Sequence, residues 1–153
     1  MRGGISRGGE FSGELKATGS TNVFASYTYT NSDQLVPQVS GSGVYRTLVV
    51  PNHQFTLVAT QRLFDRLTLN FDFLATSDYL APIFSNTTFV SYLYNFKGAK
   101  KGDITANYEF PLRGEKVRFK IFGTVENVFD NEYYENGFRA FGASGRGGVG
   151  VSF

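Results

Sequence analysis

The sequence predicts an all-β protein, an antiparallel up-and-down transmembrane barrel segment of about seven strands. Three observations predict it. Hydrophobicity repeats every two residues along separate stretches, the connections between them alternate between short and long, and aromatic residues stand at both ends of the stretches.

Successive side chains of a strand point to opposite faces, so strict alternation gives one apolar and one polar face. In the first stretch Phe11, Leu15 and Ala17 alternate with Glu10, Glu14 and Lys16. In the second, Val23, Ala25, Tyr27 and Tyr29 stand against Ser26, Thr28 and Thr30. Phe55, Leu57 and Ala59 form the third row. The fourth sets Leu67, Leu69, Phe71, Phe73 and Ala75 against Thr68, Asn70, Asp72, Leu74 and Thr76. In the fifth, 103–110, even positions are apolar or small and odd ones polar. The sixth puts Val117, Phe119, Ile121, Gly123 and Val125 opposite Arg118, Lys120, Phe122, Thr124 and Glu126. The last is Val149, Val151 and Phe153. No helix is predicted.

Short turns fall at Gly19-Ser20-Thr21, Phe64-Asp65-Arg66 and 111–115; long polar or mixed stretches fill 32–51, 78–101 and 130–144. In a meander alternate connections lie at the same end, so the short turns share one rim and the long loops the other. Outer-membrane barrels sort their connections this way. A strand of about 11 residues, rising roughly 3.3 Å each and tilted near 45°, climbs about 25 Å, the height of such a barrel's apolar band. Phe64, Phe110 and Phe153 mark the short-turn rim; Tyr29, Tyr79, Phe129, Tyr133 and Tyr134 mark the other.

Composition excludes several classes. The 153 residues include 16 Phe, 9 Tyr and 18 Gly but no Trp and no Cys, an aromatic- and glycine-rich balance that favours strands. No apolar run approaches the roughly 20 residues of a membrane helix. Without cysteine there is no disulfide, thiolate metal site or Cys nucleophile. A net charge of +2 is too small to argue for nucleic acid. Met1-Arg2-Gly3-Gly4 lacks the apolar region of a secretory signal.

The remaining motifs carry no chemistry. Gly145-Arg146-Gly147-Gly148-Val149-Gly150 matches a dinucleotide-binding pattern, which needs a following helix that this strand-patterned region does not offer. The Arg-Gly-Gly copies at Arg2, Arg7 and Arg146 are isolated, unlike dense RNA-binding tracts. His53 is the only histidine, so imidazole-rich metal sites are excluded. It reads as a polar residue at a strand entrance beside Pro51. Asn86-Thr87-Thr88 matches a common glycosylation pattern. No enzyme activity, catalytic residue, metal or cofactor is expected. Glu10, Glu14, Lys16, Asp72, Asp103, Glu109, Arg118, Lys120, Glu126 and Arg146 share the polar face of their strands. So many charges fit a wide interior holding water or a polar plug.

Nearly the whole chain resembles part of a family, the last third of its barrel, and the C-terminal end carries the most specific residues. Glu126-Asn127-Val128-Phe129-Asp130-Asn131-Glu132-Tyr133-Tyr134, then Gly145-Arg146 and a glycine-rich strand ending in Phe153, closely resembles the C-terminal end of TonB-dependent outer-membrane receptors. Arg7-Gly8-Gly9-Glu10, Ala25-Ser26-Tyr27-Thr28-Tyr29 and Pro51-Asn52-His53-Gln54-Phe55 are similar to other strand segments of that barrel. One departure is Phe141-Gly142-Ala143-Ser144, where the family usually has Pro before Gly-Arg.

The resemblance implies that residues 1–153 are the C-terminal part of a barrel of about 22 strands, without its plug domain and signal peptide, as a fragment or truncated gene product. It implies an outer-membrane receptor that takes up a scarce nutrient (siderophore-iron, cobalamin or oligosaccharide class) energised through TonB. Expected partners are outer-membrane lipid, the plug and the rest of the barrel, the TonB system through the plug, and the barrel-assembly machinery; nucleic acid is not one. The expected ligand-facing loop residues are Tyr45, Arg46, Tyr79, Phe84, Tyr92, Tyr133, Tyr134, Phe138 and Arg139, because aromatics and Arg dominate binding hot spots. The ten charges of the polar face would meet the plug. Val149, Val151 and Phe153 would form the terminal assembly signal. The alternatives are a complete eight-stranded outer-membrane barrel (adhesin, structural protein or pore) and a soluble lipocalin-like binding module.

Overall fold

The computed structural model describes residues 5–33, 49–112, 117–135 and 137–153. Its strands are β1 (Ile5–Thr18), β2 (Thr21–Asp33), β3 (His53–Leu63), β4 (Leu67–Thr76), β5 (Tyr79–Ser85), β6 (Val90–Phe96), β7 (Lys100–Leu112), β8 (Val117–Glu126), β9 (Tyr134–Glu135), β10 (Phe138–Arg139) and β11 (Ser144–Ser152). Seven of them make one antiparallel sheet in the order β1-β2-β3-β4-β7-β8-β11. The order follows the chain, which is the predicted meander. β1 and β11 do not pair with each other, so the sheet is open rather than a closed cylinder.

The register turns alternation along each strand into two continuous faces, because residues directly opposite in an antiparallel pair share a face. One row of the first face runs Ala25, Leu57, Phe73, Gly102; the next runs Val23, Ala59, Phe71, Ile104, Val125. On the second face Glu14, Phe24, Val58, Asp72 and Asp103 form one row. Lys16, Asn22, Thr60, Asn70, Thr105, Thr124 and Arg146 form the next. All ten charged residues expected on one face are brought to this one.

Beyond Phe129 at the long-loop end, no described residue outside the sheet is seen to cover the exposed side chains of the apolar face. Among the described residues the buried hydrophobics are Tyr79, Ala81, Ala99 and Tyr133, all from the long-loop end. Phe11 and Val149, by contrast, are each 77% exposed. A soluble antiparallel sheet buries one face; a continuous bare apolar face marks a surface made for another apolar phase. Ring contacts knit this face together: Phe73 lies 6.3 Å from Phe55 and 6.4 Å from Phe71, and Phe110 stacks on Phe119 at 5.5 Å.

The short connections stand together. Arg62 N–H donates to Ser20 O, and Glu109 N–H to Arg66 O, tying neighbouring hairpin ends into one rim. Phe64 (φ 52°) and Asp65 (φ 55°) are the first two residues of the three-residue β3–β4 connection, both in the left-handed region. At the other end Ser77 N–H donates to His53 O, and Val128 N–H to Gly102 O. Two connections read from sequence as long polar or mixed stretches contain hairpins of their own, β5–β6 and β9–β10.

Candidate functional site at the long-loop end

The site is built around Asn127, which follows β8 directly. Asn127 is 2% exposed, with φ 50°, a left-handed conformation that Asn tolerates better than most residues. Its backbone N–H donates to Asp103 Oδ1 (2.8 Å). Its side-chain Nδ2 donates to Asn131 O (3.1 Å) and Phe141 O (3.2 Å), and its Oδ1 accepts from Asn131 N–H (3.1 Å). One side chain thus ties the start of the 130–144 connection to its end. Asp130 Oδ1 accepts from Ala143 N–H at 2.9 Å and closes the same loop a second time.

Phe129 turns the other way and covers Gly102. A Cβ there would stand 2.6 Å from the Phe129 ring, which meets Phe73 edge-on at 6.0 Å. Phe129 therefore sits on the apolar face, at the rim position the sequence gives it. Tyr79 and Tyr133 do not sit at an outward girdle. Both are buried where the loop hairpins pack together, a position that strand alternation does not encode.

The two hairpins interlock through aromatic rings. Phe96 lies 5.6 Å from Tyr79 and 5.5 Å from Tyr134. Tyr79 Oη donates to Tyr134 O at 2.9 Å. Gly137, at φ 84°, faces Ile83 and Phe96 so closely that a Cβ would touch the Ile83 side chain at 3.5 Å.

Beneath the β9–β10 hairpin lies an open cavity of about 470 Å³, lined by Lys101, Glu126, Tyr133, Glu135, Phe138 and Arg139 among others. A smaller one of about 240 Å³ shares Tyr133 and Glu135 and adds Pro51, Leu74, Tyr79 and Tyr134. Charge in the first is partly paired: Lys101 Nζ reaches Asp103 Oδ2 at 3.1 Å and Arg146 reaches Glu126 at 3.0 Å. Burial holds the Tyr133 phenol above its ordinary value, opposed by Lys101 and reinforced by Glu135 and Asp103. Tyr133 is consequently a neutral donor through the physiological range. The combination suits an amphipathic ligand with ring surface and charged groups.

The expected ligand-facing residues divide by position. Tyr133, Phe138 and Arg139 line the larger cavity, and Tyr79, Tyr133 and Tyr134 the smaller. Arg139 pairs with Glu132 at 3.3 Å. Phe84 and Tyr92 are exposed on the β5–β6 hairpin, away from both linings. Tyr45 and Arg46 lie outside the described residues. Lys101 and Glu135 are lining residues that the sequence reading omits. Lys101 was accessible to it, since odd positions of β7 belong to the polar face; Glu135 carries no such signal. At the sheet's far end Val149, Val151 and Phe153 are exposed, Phe153 fully. His53 opens β3 with Nδ1 2.7 Å from Tyr27 Oη and its ring 5.2 Å from Tyr29.

No protein-family model matches the sequence, and no curated protein is significantly similar to it. Solved structures do match the fold. It is the fold of a stretch of outer-membrane receptor barrel, the class that the C-terminal residues resemble. One match is the ferripyoverdine receptor of the outer membrane of Pseudomonas aeruginosa bound to ferripyoverdine, with TM-score 0.70 and 17% identity over 97% of this chain. A second is the complex of FpvAI with pyocin S2, with TM-score 0.71 and 16% identity over 97% of this chain. The chain spans 19% of the length of each.

Proposed function

We propose that this chain is the C-terminal part of the barrel of an outer-membrane receptor that imports a scarce nutrient, energised through TonB. The bare apolar face carries this reading. Phe, Leu, Ile and Val rows across all seven strands are continuous and uncovered, while the charges collect on the opposite face. Hydrocarbon on one side and a wide polar interior on the other satisfy both. The fold likeness over 97% of the chain supports it.

In this reading the long-loop end faces outward and offers the ligand the cavity under β9–β10, with Phe138, Arg139 and Tyr133 as its contacts, and the smaller cavity beside it with Tyr79 and Tyr134. Phe84 and Tyr92 extend that surface, and Tyr45 and Arg46 belong to the neighbouring connection. Glu10, Asp72, Glu109 and the other charges of the polar face meet the plug. Val149, Val151 and Phe153 are read by the assembly machinery. An iron–siderophore complex is the ligand class to test first, since the first structural relative is bound to one.

The test is uptake of radiolabelled iron–siderophore complexes by cells expressing the full-length gene product, with and without TonB. Outer-membrane fractionation, heat-modifiable electrophoretic mobility and TonB-dependent uptake are expected. Recovery in the soluble fraction, or uptake indifferent to TonB, would overturn the proposal.

A further inference from the structure

The apolar face carries charge at one end only. Among the described strand residues, Arg7, Asp33, His53 and Lys100 are the Arg, Lys, His, Asp or Glu side chains whose register puts them on the face of Phe11, Tyr27 and Phe55. All four lie where their strands approach the long loops. Towards the short turns the same face ends in Thr21, Gln61, Leu63, Leu67, Leu112 and Val117, which carry no charge. Arg7 and Lys100 are exposed, and among the described residues no ion pair reaches either.

Three of the four share one height in the wall. Arg7, His53 and Lys100 stand 11, 10 and 12 residues from the short-turn ends of their strands, Thr18, Leu63 and Leu112. At roughly 3.3 Å per residue and a tilt near 45°, each is about 25 Å above that rim, one apolar-band height. The register draws the same line. From Arg7, opposite Asn31, the Gly9–Tyr29–His53 row lies two residues nearer the short turns, and the Phe55–Ala75–Lys100 row two nearer again. The strand ends shift the same way, because the Thr21–Gln61–Leu69–Ala106 row meets β7 six residues before Leu112. The line through Arg7, His53 and Lys100 therefore runs parallel to the rim, where hydrocarbon gives way to headgroups.

Apolar surface lies directly below this line. Phe11 and Leu15 follow Arg7 on β1, and Ile104 and Tyr108 follow Lys100 on β7; all four are exposed. Between the two cations Tyr27 Oη lies 2.7 Å from His53 Nδ1, and the Tyr29 ring is 5.2 Å from the imidazole, which leaves Nε2 for a further partner. A soluble anion would use the cations and leave the apolar rows bare. A lipid with a phosphorylated headgroup uses both, its chains on the rows and its phosphate at Arg or Lys. Charge at one end only fits anionic headgroups in one leaflet only.

We infer that the Arg7–His53–Lys100 line is a binding surface for phosphorylated lipid headgroups of the leaflet on the long-loop side. This rests on the receptor reading for the orientation of the sheet, and adds to it a ligand class, a leaflet and the residues that meet it. Arg7 and His53 serve one headgroup, and Lys100, four strands along from β1, serves a neighbouring one.

Native mass spectrometry of the full-length gene product in phosphatidylcholine nanodiscs, with and without diphosphoryl lipid A, tests it. The wild type is expected to retain diphosphoryl lipid A against excess inorganic phosphate. Arg7→Gln/Lys100→Gln should bind it roughly thirtyfold more weakly, since two cations near an anionic surface are removed, whereas Arg7→Lys/Lys100→Arg should keep the affinity. Equal retention by the glutamine variant, or displacement by inorganic phosphate, would overturn the inference. If the glutamine variant fails to assemble, wild type labelled by lipid A bearing a diazirine beside its phosphate still decides. Adducts are expected on β1, β3 and β7 near the long loops, and equal labelling of both rims sinks the idea. Outer-membrane recovery and heat-modifiable mobility of the wild type report separately on the receptor reading.

Discussion

Asn127 donates its backbone N–H to Asp103 Oδ1 at 2.8 Å, joining the first residue after β8 to a carboxylate on the polar face of β7. The same Asp103 holds Lys101 at 3.1 Å. The knot that shapes the outer loop and the cation that lines the cavity therefore share one carboxylate.

Asn127→Ala is expected to loosen the whole 130–144 connection. It removes the side-chain bonds to Asn131 and Phe141 and leaves three backbone groups without their partner. Each buried group so exposed costs about 1–3 kcal/mol. Hydrogen exchange should show amides of 130–144 losing protection while β3 and β4 keep theirs. Unchanged protection at Asn131 would refute the role given to Asn127.

Gly102→Ala places a methyl 2.6 Å from the Phe129 ring and should cost about 1–3 kcal/mol through displaced packing. The penalty should shrink when Phe129→Ala is added, because the clash and its victim vanish together. A double-mutant cycle on unfolding in membranes checks this, and additive losses would count against it.

The two faces make opposite predictions for one substitution. Phe71→Arg, at mid-strand on the apolar face, should cost about 2–4 kcal/mol if that face meets the bilayer centre. Ser26→Arg, on the polar face, should be nearly silent. Folding titrations of the full-length protein into lipid vesicles would compare them. Equal penalties would contradict the assignment of faces.

Tyr133 supplies a pH dependence. Its folded pKa is raised above the ordinary 10.0 by burial, with Glu135 adding to the shift and Lys101 opposing it. A raised value means that the packed loop keeps its proton where the opened loop loses it. The contribution to stability is complete below pH 10 and declines as pH rises from there through the raised folded value. Alkaline titration followed by phenolate absorbance should assign the late-ionising phenol to Tyr133, and Tyr133→Phe should abolish that component.

Deleting Phe153 from the full-length protein is expected to lower its outer-membrane abundance without changing transcript level. Its side chain is fully exposed and makes no packing contribution within this sheet. Undiminished abundance would remove it from any part in assembly.

The seven long strands were legible because alternation survives wherever two different solvents meet two faces, as in Leu67–Thr76 and Val117–Glu126. The hairpins at the outer rim were harder for two different reasons. In β6 the alternation Val90, Tyr92, Tyr94, Phe96 was present in the sequence, but its partner Tyr79–Ser85 carries Pro82 within a nearly unbroken apolar run and has no period. Burial of Tyr79 and Tyr133 follows from one hairpin resting on the other, a contact between distant stretches that no local pattern announces. Asn127 was visible as part of a motif, yet its task required coordinates. Lys101 needed only the parity of β7 to be carried two residues upstream from Asp103.

Phe96, held between Tyr79 and Tyr134, welds the connection from β4 to β7 onto the connection from β8 to β11. These two spans leave the wall on separate hairpins and would otherwise swing as independent flaps. Joined by that ring and by the Tyr79 hydroxyl on Tyr134 O, they make a single lip. A force applied to the tip at Phe84 is then transmitted to the roof over Lys101 without any strand of the wall having to shift.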